Sequence, residues 1–175
     1  PLEDFETLWA RLSGAMFLDA SPILQRLRLV KSSAEIALIT EICQITSSAF
    51  AQAPTLFHEG QPLKESFRAF KIALLEAGAE DVPYLVGGAG QGGYGDVISP
   101  PDETSLRSGD VLMLDTGASL KGYFADFDRN FAIGQDSDAA RSAYETLWQA
   151  TEAGLQAARP GARAVDAFQA MTLRS

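Results

Sequence analysis

Two strand-like runs separated by a short linker constrain this chain more than any other feature. The first run is Val111-Leu112-Met113-Leu114, and the second extends over residues 122–133. Ala118-Ser119-Leu120-Lys121 is the candidate turn between them. Because so short a connection can join only antiparallel neighbours, the sequence predicts a β-hairpin.

Helical periodicity flanks this hairpin on both sides, with serine cap candidates at Ser32, Ser33 and Ser137. Helices followed by strands and then by helices are typical of an α+β fold, in which helices pack on one face of an antiparallel sheet. The expected helices cover residues 32–52, 62–77, 137–157 and a segment from 164, and the other expected strands cover 15–18 and 84–86.

The charge balance restricts the partners of the protein. The chain has 23 Asp plus Glu against 14 Lys plus Arg, a net charge of −9. This excess of negative charge argues against nucleic acid and against anionic membrane surfaces. The sequence has no apolar run long enough to span a membrane and no signal-peptide pattern, so the cytoplasm is the expected compartment.

Single cysteine and histidine residues limit the available chemistry. Cys43 alone cannot form an intramolecular disulfide or a cysteine-only zinc site, and its apolar helical surroundings predict a core thiol. A nucleophile–histidine–acid triad would have to use His58. We expect His58 on the surface after the long helix.

A glycine-rich stretch matches a nucleotide-binding pattern only superficially. Gly88-Ala89-Gly90-Gln91-Gly92-Gly93 fits G-x-G-x-x-G, but the dinucleotide site needs a helix to begin there. Ser99-Pro100-Pro101 follows instead, and it cannot open a helix at once. Residues 87–95 are therefore expected to form a flexible or substrate-facing loop.

Three aspartates should share one face of the hairpin. If the chain turns between Leu120 and Lys121, Asp115 lies directly opposite Asp126, with Cβ atoms about 5 Å apart. Asp128 lies two residues further along the same strand and therefore on the same side.

Opposed carboxylates in an apolar hairpin repel each other and lose hydration. The protein can leave the face wet, share a proton, pair an aspartate with Arg129 or Lys121, or bind a cation. A cation bound by these hard oxygen ligands together with water would be Mn, Co, Fe or Zn.

The hairpin resembles the metal-binding motif of the methionine aminopeptidase, prolidase and creatinase superfamily. The motif has Asp-x-Gly on one strand, as in Asp115-Thr116-Gly117, and then Gly-Tyr and Asp-x-x-Arg on the next, as in Gly122-Tyr123 and Asp126-Phe127-Asp128-Arg129. The family's two aspartates are also eleven residues apart. Residues 106–110 and 131–134 resemble the flanks of the motif, and residues 27–36 resemble the domain junction of the prolidase, aminopeptidase P and creatinase branch.

The resemblance implies an α+β fold that is the first half of a pita-bread catalytic domain, over residues 25–175. Residues 1–24 would end an upstream domain or linker. Two divalent ions, such as manganese, would bind with Asp115 and Asp126 as ligands, and the other ligands would lie in a second half beyond Ser175. The chain alone is therefore expected to be inactive and to hold metal poorly. A homodimer is expected.

The implied activity is hydrolysis of a C–N bond by metal-activated water, as in Xaa-Pro peptidases acting on a peptide or small amide. Creatinase-like hydrolysis or lysis of a small metabolite, and a non-catalytic binding module, are the alternatives. Peptidase members have a Pro-His where residues 95–98 contain no histidine, so standard peptides are expected to be poor substrates and small amides better ones. Asp96 is a candidate replacement, and Asp128 and Thr116 are candidate supports around the metals.

Overall fold

The computed structural model describes residues 2–96 and 100–172. The chain divides into two compact units, Pro1–Ile36 and Ala37–Ser175. Within the described ranges, no helix combines the length and apolar character needed to cross a membrane.

The smaller unit contains two helices, α1 (Leu2–Arg11) and α2 (Ser21–Leu29). Helix α2 is not among the helices expected from the sequence, because a Ser-Pro pair such as Ser21-Pro22 is typical of a break between elements. Proline instead occupies the first turn of α2, where its missing N–H costs nothing. The strand expected at residues 15–18 is wrong. A single strand has no partner for its backbone groups, and Phe17 stacks on Trp9 with ring centroids 5.3 Å apart.

Long helices precede and follow a three-stranded sheet, so the expected α+β class is confirmed. The strands are antiparallel in the order β1-β2-β3. The elements are α3 (Ser33–Leu56), α4 (Leu63–Glu76), β1 (Asp81–Gln91), β2 (Asp110–Leu120), β3 (Tyr123–Ala132), α5 (Asp138–Ala157) and α6 (Ala164–Thr172).

Local signals set the helix ends as the sequence indicates. Ser32 Oγ accepts from the backbone N–H of Glu35, and the Glu35 carboxylate accepts from the N–H of Ser32, which forms a capping box. Ser137 Oγ accepts from the N–H of Ala140 at the start of α5. Gly78, with φ of 114°, follows the last turn of α4.

The hydrophobic core lies between the sheet and helices α3 and α4. Phe50 and Phe70 pack with ring centroids 4.6 Å apart, and Leu112 and Leu114 of β2 are fully buried beside them. Cys43 packs partly buried against this core, and His58 is exposed after α3, as expected. One face of the sheet is therefore committed to packing, and the opposite face is available for chemistry.

The hairpin register differs by two residues from the sequence prediction. Lys121 and Gly122 both have positive φ, 51° and 79°, so they form the two-residue turn themselves and Leu120 pairs with Tyr123. Asp115 consequently lies opposite Asp128 rather than opposite Asp126, which pairs with Gly117. Because side chains alternate with a period of two, this shift leaves every residue on its expected face.

Strand β1 extends through part of the glycine-rich stretch, so the expected loop over residues 87–95 is wrong for 87–91. At Gly87, with φ of 153°, a Cβ atom would lie 2.0 Å from the backbone oxygen of Met113. Glycine is used here because it permits this close approach of the two backbones while the ladder continues.

Candidate functional site

The sheet face opposite helices α3 and α4 carries the three aspartates, and we call it the carboxylate face. Its side chains form parallel rows that run across the three strands. Asp115 and Asp128 lie in one row with Val86. The row on one side contains Tyr84, Gly117 and Asp126, and the row on the other side contains Gly88, Met113 and Asn130.

The aspartates share this face, as the sequence predicts, although their pairing differs. Asp115 is partly buried, and Asp126 and Asp128 are exposed. Among the residues that the structure describes, no ion pair joins these aspartates to Lys or Arg. Arg129 instead lies over the ring of Phe127, with its guanidinium carbon 4.9 Å from the ring centroid. Among the described residues, the negative charge on the face is therefore not balanced by an ion pair.

Tyr84 lies between two of the carboxylates. Its hydroxyl is 3.2 Å from Asp115 Oδ1 and also forms a hydrogen bond with Asp126 Oδ1. A single phenolic proton can be donated to only one of these oxygens at a time. The two carboxylates thus converge on one point, the position of the Tyr84 oxygen.

Burial and charge both act on the groups around this point. Burial raises the pKa of the Tyr84 hydroxyl well above its usual value, and hydrogen bonding to Asp126 and the charge of Asp115 raise it further. Loss of hydration and the charge of Asp115 raise the pKa of Asp128, although Arg129 opposes the shift. A divalent cation would relieve the repulsion among the negative charges of these aspartates.

Gly117 makes room for two aromatic side chains on the carboxylate face. A Cβ atom at this position would lie 1.8 Å from Phe124 Cζ and 2.7 Å from Tyr84 Cε1. The ring centroids of Tyr84 and Phe124 are 6.0 Å apart. The Asp-x-Gly spacing therefore serves the site directly, since the glycine allows the tyrosine to reach both carboxylates.

A second tyrosine lies on the other side of the aspartates. The Tyr94 hydroxyl donates to Asn130 Oδ1 over 2.8 Å. Burial raises the pKa of Tyr94, and the negative charge of Asp128 adds to the effect. Asn130, which accepts this hydrogen bond, lies two positions along β3 from Asp128 and on the same face of the sheet.

The other two candidate residues lie elsewhere. Thr116 is buried, alternates with Asp115 along β2, and donates its hydroxyl hydrogen bond to the carbonyl oxygen of Tyr84. Asp96 lines a cavity of about 180 Å³ with Asp102 and Thr104, and the described lining of this cavity contains none of the three sheet aspartates. The supporting role of Thr116 and the catalytic role of Asp96 stay predictions.

The donor set fits a divalent cation only in part. Carboxylate oxygens are the hard ligands that such ions prefer. Within residues 2–96 and 100–172, however, no group of three or more His, Cys, Asp or Glu side chains is arranged to hold an ion. Asp115 and Asp126 can therefore be only part of a metal site, because the described residues do not supply its remaining ligands.

Tyr84, Tyr94 and Asn130 are absent from the sequence prediction. Their hydrogen bonds join residues that lie 31 to 42 positions apart in the chain. Extending the period-two alternation of β1 and β3 would have placed Tyr84 and Asn130 on the carboxylate face. No local pattern in the sequence indicates that the chain folds back over the sheet at Tyr94.

Relatives of this chain are peptidases. It is 30% identical to the Xaa-Pro aminopeptidase of Escherichia coli over 157 residues, which are 84% of this chain and 34% of that protein. It is 24% identical to the Xaa-Pro dipeptidase of Pyrococcus horikoshii over 163 residues, 92% of this chain and 46% of that one. The chain thus spans less than half the length of these relatives.

Solved structures of such proteins have the same fold. The prolidase of Pyrococcus horikoshii superposes with a TM-score of 0.90 at 20% identity, over 99% of this chain and 50% of that one. The dipeptidase PepE of Mycobacterium ulcerans gives 0.81 at 24% identity, over 92% and 43%. The expected first half of a pita-bread fold is confirmed.

A family model supplies the assignment that the hairpin motif predicts. The model for metallopeptidase family M24 matches residues 37–172, a segment that contains the whole sheet and all three aspartates. With the shared fold and the peptidase relatives, this match shows that the chain belongs to metallopeptidase family M24.

Proposed function

We propose that the full-length protein is a metal-dependent hydrolase that cleaves the C–N bond of short peptides of the Xaa-Pro type. The convergence of Asp115 and Asp126 on the Tyr84 hydroxyl is the observation that supports this function. Two carboxylates that are close together repel each other in the folded chain, and a bound cation relieves this repulsion.

Each residue of the face has a role in this proposal. Asp115 and Asp126 hold two divalent ions, Mn, Co, Fe or Zn, together with ligands from a second half of the domain beyond Ser175. Metal of this kind lowers the pKa of bound water and polarises a carbonyl group. Tyr84 orients the two carboxylates, and Asp128 adds negative charge beside them. Residues 25–175 form the first half of the catalytic domain in this function, and the full-length protein is a cytoplasmic homodimer.

A small amide is the second candidate substrate. Residues 95–98 contain no histidine that could contact a peptide, and removal of one positioned donor costs about a hundredfold in rate. The relatives favour the peptide, and the missing imidazole favours the small amide, so the two substrates need direct comparison.

A substrate panel tests the proposed function. Full-length protein is stripped with a chelator, reloaded with each of the four metals, and assayed on Xaa-Pro dipeptides, methionyl peptides and N-acylated or cyclic amides. We expect hydrolysis that disappears on chelation and returns with metal, at a turnover on the order of 10 per second for the best substrate. Hydrolysis that survives complete removal of metal, or no hydrolysis of any amide, contradicts the proposal.

Loss of the Tyr84 hydroxyl should weaken metal binding. In the Tyr84→Phe protein nothing donates to the two carboxylates from that position, so they are less well oriented. Loss of such an outer partner costs about 10- to 100-fold in metal affinity. Calorimetric titration of the full-length protein with Mn²⁺ measures the change directly. Tyr123→Phe is the matched control because Tyr123 lies on the opposite face of the sheet, and equal affinities for the two variants would show that Tyr84 does not orient the ligands.

A further inference from the structure

Two glycines of β1 let the chain fold back onto the carboxylate face after the strand ends. A Cβ atom on Gly88 would lie 3.2 Å from the Cβ atom of Tyr94. A Cβ atom on Gly90 would lie 2.3 Å from the backbone oxygen of Gly93, whose N–H donates to the Gly90 carbonyl over 3.3 Å. Because a side chain at either glycine would push the returning segment away, the two glycines keep Tyr94 against β1.

The Tyr94 side chain spans the width of the sheet. It begins beside Gly88 on β1, and its hydroxyl donates to Asn130 Oδ1 on β3 over 2.8 Å. Gly88, Met113 and Asn130 are paired neighbours that form one row across the three strands. The two outer strands of such a row are about 10 Å apart. The ring of Tyr94 therefore passes over Met113, the middle member of the row.

Met113 is buried although it lies on the carboxylate face. Its exposed fraction is 1%, whereas Asp115, two positions along β2 on the same face, is only partly buried. Leu112 and Leu114 on either side of Met113 point into the core against α3 and α4, so that core cannot bury the methionine. We attribute the burial of Met113 to the Tyr94 ring that crosses it.

A cavity of about 270 Å³ lies on the far side of Tyr94 from the aspartates. Its described lining includes Val111, which belongs to the row beyond that of Met113, and Ala143 and Leu147 of α5. The three aspartates are not part of this described lining. The Tyr94 ring thus stands between the rows that carry the aspartates and a largely apolar space.

We propose that Tyr94 is a specificity-determining residue, which separates the metal site from this cavity and excludes substrates with a bulky group on that side. A substrate held at ions bound by Asp115 and Asp126 meets the Tyr94 ring one row away, about 7 Å along the strands. A fixed ring at that distance accepts a small group and clashes with a large one. The inference rests on the proposed function and restricts the substrate class to compact amides and short peptides.

Substrate size provides the first test. Metal-loaded full-length enzymes are assayed on alanyl-proline, on phenylalanyl-proline and tryptophanyl-proline, and on alanyl-proline extended after the proline by a phenylalanine. For at least one position of enlargement, Tyr94→Ala should raise the ratio of kcat/KM for the larger substrate to that for alanyl-proline by about tenfold or more. Tyr94→Phe keeps the ring and should shift this ratio less than about threefold, because a hydroxyl adds little to the bulk of a ring. Tyr123→Phe, on the opposite face of the sheet, should not change it.

Refilling the cavity tests where the bulky group goes. Ala143 lines the cavity, so a phenylalanine at this position would occupy the space that the Tyr94→Ala substitution opens to the substrate. The Tyr94→Ala, Ala143→Phe double variant should therefore return the size ratio toward the wild-type value. A double variant that keeps the full gain of Tyr94→Ala would show that the bulky group does not enter this cavity, which contradicts the inference.

Oxidation of Met113 measures the separation without any substrate. Hydrogen peroxide converts the thioether of methionine to the sulfoxide, and mass spectrometry of peptides gives the rate at each methionine. In the full-length Tyr94→Ala protein, Met113 should be oxidised several-fold faster than in the wild-type protein. Met16 is 80% exposed and serves as the internal reference, because its oxidation rate should be the same in both proteins.

The remaining outcomes separate this inference from the function on which it rests. Equal size ratios in the wild-type and Tyr94→Ala enzymes, or unchanged protection of Met113 in a folded Tyr94→Ala protein, overturn the inference and leave the hydrolase function standing. If the wild-type enzyme hydrolyses no amide with any metal, the proposed function fails and the restriction on substrates falls with it, while the oxidation of Met113 still decides whether Tyr94 covers the sheet. Thermal unfolding shows whether each variant is folded, and Tyr94→Leu, which also lacks the ring, replaces Tyr94→Ala if the alanine variant does not fold.

Discussion

The full-length Asp115→Asn protein should lose more than about 100-fold in kcat/KM on its best amide substrate and should retain less metal after dialysis. The loss of an outer partner alone costs up to about 100-fold in metal affinity, and we expect loss of a direct ligand to cost more. Asparagine keeps the size and the backbone preferences of aspartate, so the change removes charge while leaving the hairpin intact. Metal analysis after dialysis and steady-state kinetics measure the two effects.

Two further variants serve as comparisons for the effect of Asp115→Asn. Asp128→Asn should have a smaller effect, because we expect Asp128 to support the site without binding metal. Asp138→Asn, on the exposed first turn of α5, should leave both metal content and rate unchanged. If Asp115→Asn protein retains full metal occupancy and wild-type kinetics, Asp115 is not a ligand and the proposed metal site is wrong.

The Gly87→Ala substitution should destabilise the protein by about 4 kcal/mol. The new methyl group would lie 2.0 Å from the backbone oxygen of Met113 and 3.1 Å from Phe67 Cζ. The φ of 153° at Gly87 is also one that residues with a side chain rarely adopt. Because the close neighbour is backbone, β1 and β2 must separate to relieve the contact. Urea unfolding of the full-length variant measures the change in the free energy of unfolding.

Gly95→Ala provides the comparison for this prediction. Apart from its chain neighbours, no described residue has a heavy atom within 4 Å of a Cβ atom built at Gly95, so its replacement should change stability by less than about 0.5 kcal/mol. If Gly87→Ala is no more destabilising than Gly95→Ala, the backbones of β1 and β2 do not approach each other closely at Gly87 and Met113.

Local patterns in the sequence predict most of the elements of this fold. The capping box at Ser32 and the cap at Ser137 set helix starts that the structure reproduces. The register of the hairpin could not be read with the same accuracy, because it depends on which two residues adopt positive φ. Lys121 does so although it is not glycine, and this one conformation moves the pairing by two positions.

The candidate site was only partly predictable for a different reason. The aspartates belong to adjacent strands of one hairpin, so simple alternation places them on one face. Tyr84 reaches them from a strand that is paired across a long segment of chain, and Tyr94 reaches Asn130 through a fold-back that depends on Gly88 and Gly90. Such contacts are properties of the tertiary structure, and no short window of sequence contains them.

The two-residue turn at Lys121 and Gly122 also limits how the length of this hairpin can change during evolution. An insertion or deletion of one residue between Asp115 and Asp126 would move one aspartate to the helix side of the sheet while the other remained in place, unless a bulge absorbed the change. An insertion of two residues would keep both carboxylates on the same side. Length variation in this segment should therefore occur in even steps, even where the turn sequence itself diverges freely.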